Sequence, residues 1–340
     1  MLDLDDWDFD LPDHHIARHP AARRDGSRLL HVPLADDVCG HHCFEALPTL
    51  LRPGDLLVVN DSRVLAARLR ARRATGGKVE LLVLGLGDDD VVPVLAKPAR
   101  RLKLGETLDV DGGSATIVAL ADDDGVLRVR LSPDPLTLMD GAGELPLPPY
   151  LGRTEEPSDR ERYQTVYAQT PGSSAAPTAG LHFTPGLLDT LRAGGVRVAT
   201  VTLHVGLGTF RPLRSEDLDR GTLHTERIVL PEETARAVDE TRRVGGRVVA
   251  VGTTSARTLE ARADGRGGVL AGSGSTDLFL HPPMRPEVID GLITNFHLPR
   301  SSLLMLVATL VGRERLLQTY ELAKAEGYRF YSYGDAMLLL

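Results

Sequence analysis

The residues best suited to proton chemistry are four histidines set among small residues and threonines. They are His182 in "PTAGLHFT", His204 in "TLHVGLGTF", His224 in "TLHTE" and His297 in "TNFHLP". Histidines placed this way suggest residues that line a common pocket. A four-histidine metal site is the sharp alternative. No HxH, HxxxH or HExxH spacing joins any of the four, so that reading lacks the usual local geometry. For each histidine alone, a satisfied structural role is the plain reading.

The elements that must carry these residues favour a shared location. "VRVATVTLHV" reads as an apolar strand closing at His204. "RVVAVG" is a buried strand running straight into "TTSARTLEARA", which puts Gly252, Thr253, Thr254 and Ser255 at a strand–helix turn. "VIDGLITNFH" leads through "LPRSS" into the apolar helix "LLMLVATLV", so Thr294, Asn295 and His297 close a strand. His182 sits just before a helix with Thr184 as N-cap, Pro185 at its first position and Gly194 and Gly195 at its end. His224 precedes a strand rather than following one, and its case is weaker.

This strand–helix alternation from Arg153 onward, joined by "GDLLVVNDSRV", predicts an α/β fold. The expected core is a mostly parallel or mixed sheet with flanking helices. Ligands in such sheets bind beyond the carboxyl ends of the strands, so His182, His204, Asn295 and His297 are expected to line one pocket. The "GTTS" turn offers N–H groups at a helix N-terminus, a seat for a carboxylate or phosphate. No P-loop, no convincing dinucleotide fingerprint and no Gly-x-Ser-x-Gly elbow is present, so ATP hydrolysis, hydride transfer and serine-esterase chemistry lose weight.

Between about Val64 and Tyr150 the texture is different: short β-like runs separated by frequent turns, closing in the proline-rich "GELPLPPYLG". This reads as a small closed barrel inserted into the α/β domain. The expected division is 1–62 with 150–340 for the α/β domain and 63–149 for the insertion. From Arg63 to Lys103 about ten Lys/Arg face about four acids. Arg70, Arg72, Arg73, Lys97, Arg100, Arg101 and Lys103 are therefore candidates for a phosphate-backbone surface, the alternative being a solvated strand face.

The formal net charge of −8 over 340 residues argues against sequence-blind nucleic-acid binding, but not against reading one folded RNA through a local patch. Cys39 and Cys43, the two cysteines, exclude a disulfide framework and fit a reducing cytosol. They flank His41 and His42 in "CGHHC". Adjacent histidines on an extended segment point to opposite faces, which favours a strand edge over zinc. No signal peptide or membrane span is visible, and a cytoplasmic protein is expected.

These motifs together resemble the S-adenosylmethionine:tRNA ribosyltransferase-isomerases, which form epoxyqueuosine in tRNA. The resemblance runs over nearly the whole chain. It includes "LRPGDLLVVNDSRV", "LPLPPYLGR", "AAPTAGLHFT", "TLHVGLGTFRPLR", "AVGTTSARTLE", "LITNFHLPRSSLLMLV" and "YRFYSYGDAMLL". It implies an α/β domain interrupted by a closed barrel. It also implies transfer and isomerisation of the ribosyl part of S-adenosylmethionine onto 7-aminomethyl-7-deazaguanine at the tRNA wobble position, with loss of adenine and methionine. S-adenosylmethionine would be consumed as a substrate, with no further cofactor and no metal, and a monomer is expected.

Such chemistry asks for proton removal beside the sulfonium, protonation of departing adenine and deprotonation of the incoming amine, all suited to imidazole. On this reading His182 and His204 are the acid–base candidates, with Asn295 and His297 orienting the sugar or adenine. Thr253, Thr254 and Ser255 would take the methionine carboxylate. Asp61, Arg63, Thr178, Thr209, Arg211 and Asp335 are further substrate-contact candidates in matched motifs.

The chain departs from the family pattern in places. Ser62 stands where Thr is usual, Ala66 for Pro, Ser174 for Val, and Gly221 for a histidine; Ser275 and Pro283 replace an aromatic residue and part of a Pro-Gly pair. These departures keep open a relative using the same donor on another acceptor. A non-catalytic RNA-binding protein is the third reading.

Overall fold

The computed structural model describes residues 2–36, 38–87, 90–206, 208 and 213–340. Thr209 and Arg211 lie outside the described residues.

The strands Leu56–Asn60, Val248–Val251 and Gly291–Asn295 are buried along their whole length. Unbroken apolar runs of this kind suit a sheet covered by helices on both faces. Leu56–Asn60 pairs in parallel with Arg197–Leu203 on one side and Val248–Val251 on the other, and Gly291–Asn295 follows in parallel. Ala336–Leu339 then runs antiparallel, pairs in parallel with Arg28–Val32, and the antiparallel Gly40–Cys43 forms that edge. Thr222–Leu230 and Gly272–Leu278 extend the other side. The result is a mixed nine-stranded sheet.

Strand alternation divides the core in two. Leu56, Val58, Ala250 and Leu292 pack with the helices Glu232–Arg243, Thr253–Ala261, Ser302–Val311 and Arg313–Ala325. Leu57, Val59, Val251 and Ile293 pack on the opposite face with Phe44, Phe183 and the helix Pro185–Ala193. The expected caps are formed: Thr184 Oγ1 accepts from the Leu187 N–H at 3.1 Å and Ser301 Oγ from the Leu304 N–H at 3.2 Å. Such a cap is worth about 1 kcal/mol.

The inserted segment forms a closed antiparallel barrel of six strands, ordered Leu127–Ser132, Val91–Lys97, Lys78–Val83, Arg68–Arg72, Thr107–Val110 and Gly113–Ala119. Leu69, Ala71, Leu81 and Ile117 fill its interior, joined by Leu138 and Met139 of the helix Pro135–Ala142. At the junction, Ser62–Val64 pairs in parallel with Thr170–Ser173. The chain entering the barrel is thus stitched to the chain returning from it, a pairing that brings two distant serines, Ser62 and Ser173, together.

The topology places the carboxyl ends of the four parallel strands on one rim. Because Asn295 pairs with Ala336 and Leu29 with the same residue, Asp335, Arg28 and Ser27 arrive at that rim from the opposite direction. "CGHHC" is an edge strand, and His41 bonds Tyr328 Oη through Nδ1 at 2.9 Å.

Candidate active site

His182 ends a 3₁₀ turn, Thr178–His182, that packs over the end of Gly291–Asn295. Its ring is buried and stacks on Phe44 with centroids 5.0 Å apart. Both ring nitrogens are engaged: Nδ1 with Ser27 Oγ at 2.7 Å and Nε2 with Asn295 Nδ2 at 3.2 Å. The Asn295 amide also donates to the Tyr331 carbonyl at 3.1 Å. An amide N–H on Nε2 makes that nitrogen the acceptor, so Nδ1 carries the hydrogen and gives it to Ser27. Burial pushes the His182 pKa down to about 4, with the Asp335 charge opposing it. Both ring nitrogens of His182 are thus occupied by protein partners, which leaves no lone pair free for a substrate in this arrangement. The unused atom of the network is Asn295 Oδ1, buried and without a partner.

His204, just past its strand, is half-buried and differently held. Its Nδ1 lies 2.8 Å from Ser62 Oγ, which lies 2.6 Å from Ser173 Oγ, which in turn accepts from the Val205 N–H at 2.9 Å. The backbone of Gly172 lies against the ring: a Cβ there would sit 2.6 Å from His204 Cε1. Burial lowers the pKa of His204, Arg227 adds to the effect and Asp61 opposes it. Asp61 is buried beside it, accepting from Thr202 Oγ1 at 2.6 Å and Thr170 Oγ1 at 3.3 Å. No described residue bonds His204 Nε2.

The remaining candidates separate. His297 bonds Thr294 Oγ1 at 2.8 Å, and its N–H donates to Tyr320 Oη. Thr294 points away from Asn295 by strand alternation, so His297 belongs to the helical face carrying Tyr320 and not to the His182–Asn295 group. The expectation of one pocket shared by all these histidines is corrected accordingly. His224 lies beside Gly208.

Of the turn residues, Thr253 is buried and Thr254 Oγ1 is buried with no partner. The Ser255 hydroxyl faces inward and donates to the Val251 carbonyl at 2.8 Å, which leaves its backbone N–H in the first turn of the helix as its contribution to a ligand seat. The Asp335 carboxylate accepts from the Arg28 and Arg329 N–H groups and from the Arg329 guanidinium, so it ties loops together. Arg63 is half-buried and lies 3.9 Å from Asp140. Thr178 is half-buried at the start of the His182 turn.

On the barrel, Arg70 is held in a two-pronged pair by Glu144 (2.6 and 2.9 Å) and Arg73 by Glu106 (2.6 and 3.0 Å). Their charges are neutralised locally, which removes both from the free basic surface. Arg72, Lys97, Arg100, Arg101 and Lys103 are exposed and make no ion pair among the described residues. A cavity of about 600 Å³ lined by Cys39, Gly312 and Gln318 opens at the opposite end of the sheet from the rim.

Several rim residues escaped the sequence. Ser27 and Ser173 became visible only through pairings across 155 and 32 residues. Tyr331, whose carbonyl holds Asn295, has φ of 73°, a strained backbone that no local pattern announces. Arg257 pairs with Glu226 and donates to the Leu278 carbonyl, while its Nη2 stays buried and unpaired. Its place one turn into the "TTSARTLE" helix was the available signal.

A family model described as queuosine biosynthesis protein matches residues 4–339. Among curated relatives, S-adenosylmethionine:tRNA ribosyltransferase-isomerases of Gloeobacter violaceus and Trichlorobacter lovleyi are 52% and 47% identical. The first match covers 99% of this chain and 95% of the relative, the second 98% and 99%. A crystal structure of the S-adenosylmethionine tRNA ribosyltransferase from Thermotoga maritima superposes with a TM-score of 0.56 at 34% identity, covering 98% of this chain and all of the other. With near-complete coverage on both sides, this chain belongs to the queuosine biosynthesis protein family.

Proposed function

We infer that this chain transfers and isomerises the ribosyl moiety of S-adenosylmethionine onto a tRNA. The acceptor is 7-aminomethyl-7-deazaguanine at the wobble position, and the products are epoxyqueuosine-tRNA, adenine and methionine. Full-length similarity to relatives carrying that activity in their names supports the reaction class. The observation that supports its location is the rim itself. There His204 lies next to Asp61 with no described residue on Nε2, and Asn295 Oδ1 and Thr254 Oγ1 are polar atoms without partners among the described residues.

The roles follow from chemistry. Asn295 Oδ1 is an acceptor for a sugar hydroxyl or the adenine amino group. Thr254, at the start of the helix Thr253–Ala261, suits the methionine carboxylate, where the helix dipole adds a favourable field. His204 and Asp61 are left with the hydrogen-bonding and proton work. The exposed Arg72, Lys97, Arg100, Arg101 and Lys103 would contact tRNA phosphates.

S-adenosylmethionine is consumed, and no further cofactor is invoked. No helix among the described residues is long and apolar enough to cross a membrane. Separately, we propose a cytoplasmic monomer. Of the sequence departures, Gly221 has a local reason. It caps the helix Ser215–Arg220 at φ 66°, where a histidine would be strained. It therefore gives no support to a different acceptor.

The test is incubation of purified protein with S-adenosylmethionine and tRNA bearing the aminomethyl-deazaguanine, followed by mass analysis of digested nucleosides. Epoxyqueuosine with released adenine and methionine is the expected result. Unchanged tRNA from folded protein would overturn the assignment.

A further inference from the structure

We propose that His204 works as a neutral hydrogen-bond donor through Nε2–H, and that Ser173 and Ser62 are positioning residues that hold it in that tautomer. The proposal rests on the reaction inferred above for its substrate role, but its geometric core is independent of it.

The argument is a count of hydrogens. Ser62 and Ser173 are fully buried, and Ser173 Oγ already accepts from the Val205 N–H. Three arrangements connect the three side chains; the one in which His204 Nδ1–H and Ser173 both donate to Ser62 strands the Ser62 hydrogen, and two remain to be weighed. In the first, Ser173 donates to Ser62 and Ser62 donates to His204 Nδ1, so every hydroxyl hydrogen has an acceptor and the ring hydrogen lies on Nε2. In the second, His204 Nδ1–H donates to Ser62 and Ser62 to Ser173. The Ser173 hydrogen is then left buried with no acceptor among the described residues. A stranded buried donor is costly whereas a satisfied one is not, so the first arrangement prevails.

Turning the ring over would put Cδ2–H against Ser62 Oγ and cost the ring its bond to that hydroxyl. The Gly172 backbone lies against the ring, and the Ser62 amide is itself held by Asn60 Oδ1 at 3.0 Å, which fixes where Ser62 Oγ points. Asn60 Nδ2 donates in turn to the Leu203 carbonyl, tying the relay to the residue before His204. An Nε2–H on a neutral ring offers a substrate oxygen or ring nitrogen a donor that is placed before the substrate arrives. Preorganised donors of this kind stabilise charge that develops at an acceptor. The proton-accepting work on this side of the rim then falls to the Asp61 carboxylate.

The direct experiment is long-range ¹H–¹⁵N correlation on the full-length ¹⁵N-labelled protein at about pH 7, with His204 assigned by comparison with His204→Gln. Nitrogen shifts distinguish the two tautomers outright. The expected result is hydrogen on Nε2 in the wild type and in Ser62→Thr, which keeps the hydroxyl. A mixture of tautomers is expected in Ser173→Ala and Ser62→Ala. Hydrogen on Nδ1 in the wild type, or a tautomer indifferent to both alanine variants, would overturn the proposal.

Turnover supplies a second arm. Gln can place an amide N–H near the Nε2 position but cannot act as a base. His204→Gln should stay within about tenfold of wild-type kcat/KM, and His204→Phe should fall by roughly 10²–10³. Equal loss in both would overturn the donor role. Failure of the wild type to make epoxyqueuosine would strike the functional reading instead, and the tautomer would still be read from the spectrum.

Discussion

The side-chain amide of Asn295 donates to His182 Nε2 across 3.2 Å, and through this bond the more deeply buried histidine of the rim orients another residue and has no lone pair for substrate. The same amide reaches the strained Tyr331 carbonyl. With both its hydrogens engaged, Asn295 leaves Oδ1 buried and without a partner among the described residues. A histidine used as a bracket must stay neutral, and burial against Phe44 ensures that it does.

That neutrality has a measurable cost in acid. The folded-state pKa of His182 is about 4, below the ordinary 6.5 of the unfolded chain. Between those values the unfolded state binds the extra proton. The contribution is therefore complete above about pH 6.5 and is lost as pH falls toward 4, amounting to roughly 2–3 kcal/mol. Urea midpoints at about pH 7 and about pH 4.5 should separate by more in the wild type than in His182→Phe. His297 and His204, also pushed down by burial, leave the variant with part of the dependence. Equal pH sensitivity in the two proteins would show that His182 is not held neutral by the fold.

Thr254 and Ser255 are neighbours in sequence with opposite assignments. Thr254→Val removes an unpartnered hydroxyl of similar shape, and Ser255→Ala removes one that bonds Val251. A hydrogen bond to a charged ligand is worth about 1.5–3 kcal/mol. Thr254→Val should therefore raise KM for S-adenosylmethionine at least about tenfold and leave KM for tRNA unchanged. Ser255→Ala should lower the melting temperature and leave both constants close to wild type. The reverse pattern would move the carboxylate seat away from Thr254.

These contrasts mark what a linear reading could supply. Apolar runs such as "LLVVN" and "VVAV" announce strands buried on both faces, and Thr184-Pro185 announces its helix, because period and capping are local. The barrel was visible for the same reason. The direction of a side chain at a strand end was not. Thr294 and Asn295 are adjacent, yet one faces His297 and the other His182. Arg70 and Arg73 read as free cations because their partners Glu144 and Glu106 lie 74 and 33 residues away. Locations were local information, and hydrogen-bond partners were not.

Gly221 offers a check on one departure from the family pattern. At φ 66° it ends the helix Ser215–Arg220, and its N–H bonds the Asp217 and Leu218 carbonyls. A side chain in the left-handed region costs about 1–2 kcal/mol. Gly221→His should be destabilised by that amount in denaturant titration, with the same product nucleoside formed. A variant as stable as the wild type would mean that the backbone does not demand glycine there.

The barrel surface gives the last prediction, because the structure divides its cations into two groups. Arg100 and Arg101 are exposed and make no ion pair among the described residues, whereas Arg70 is clasped by Glu144. Removing one cation from a phosphate reduces the slope of log affinity against log salt by about 0.7–0.9. The double change Arg100→Ala with Arg101→Ala should weaken tRNA binding and reduce that slope by about 1.4–1.8 when titrated between about 50 and 200 mM salt. Arg70→Ala frees the Glu144 carboxylate and should act through local charge, with a slope close to wild type. A shallower slope for the double variant beside an unchanged one for Arg70→Ala would locate the RNA on the loop that follows Lys97. Equal slopes in all three proteins would remove the barrel from the interface and shift the search to the rim side of the sheet.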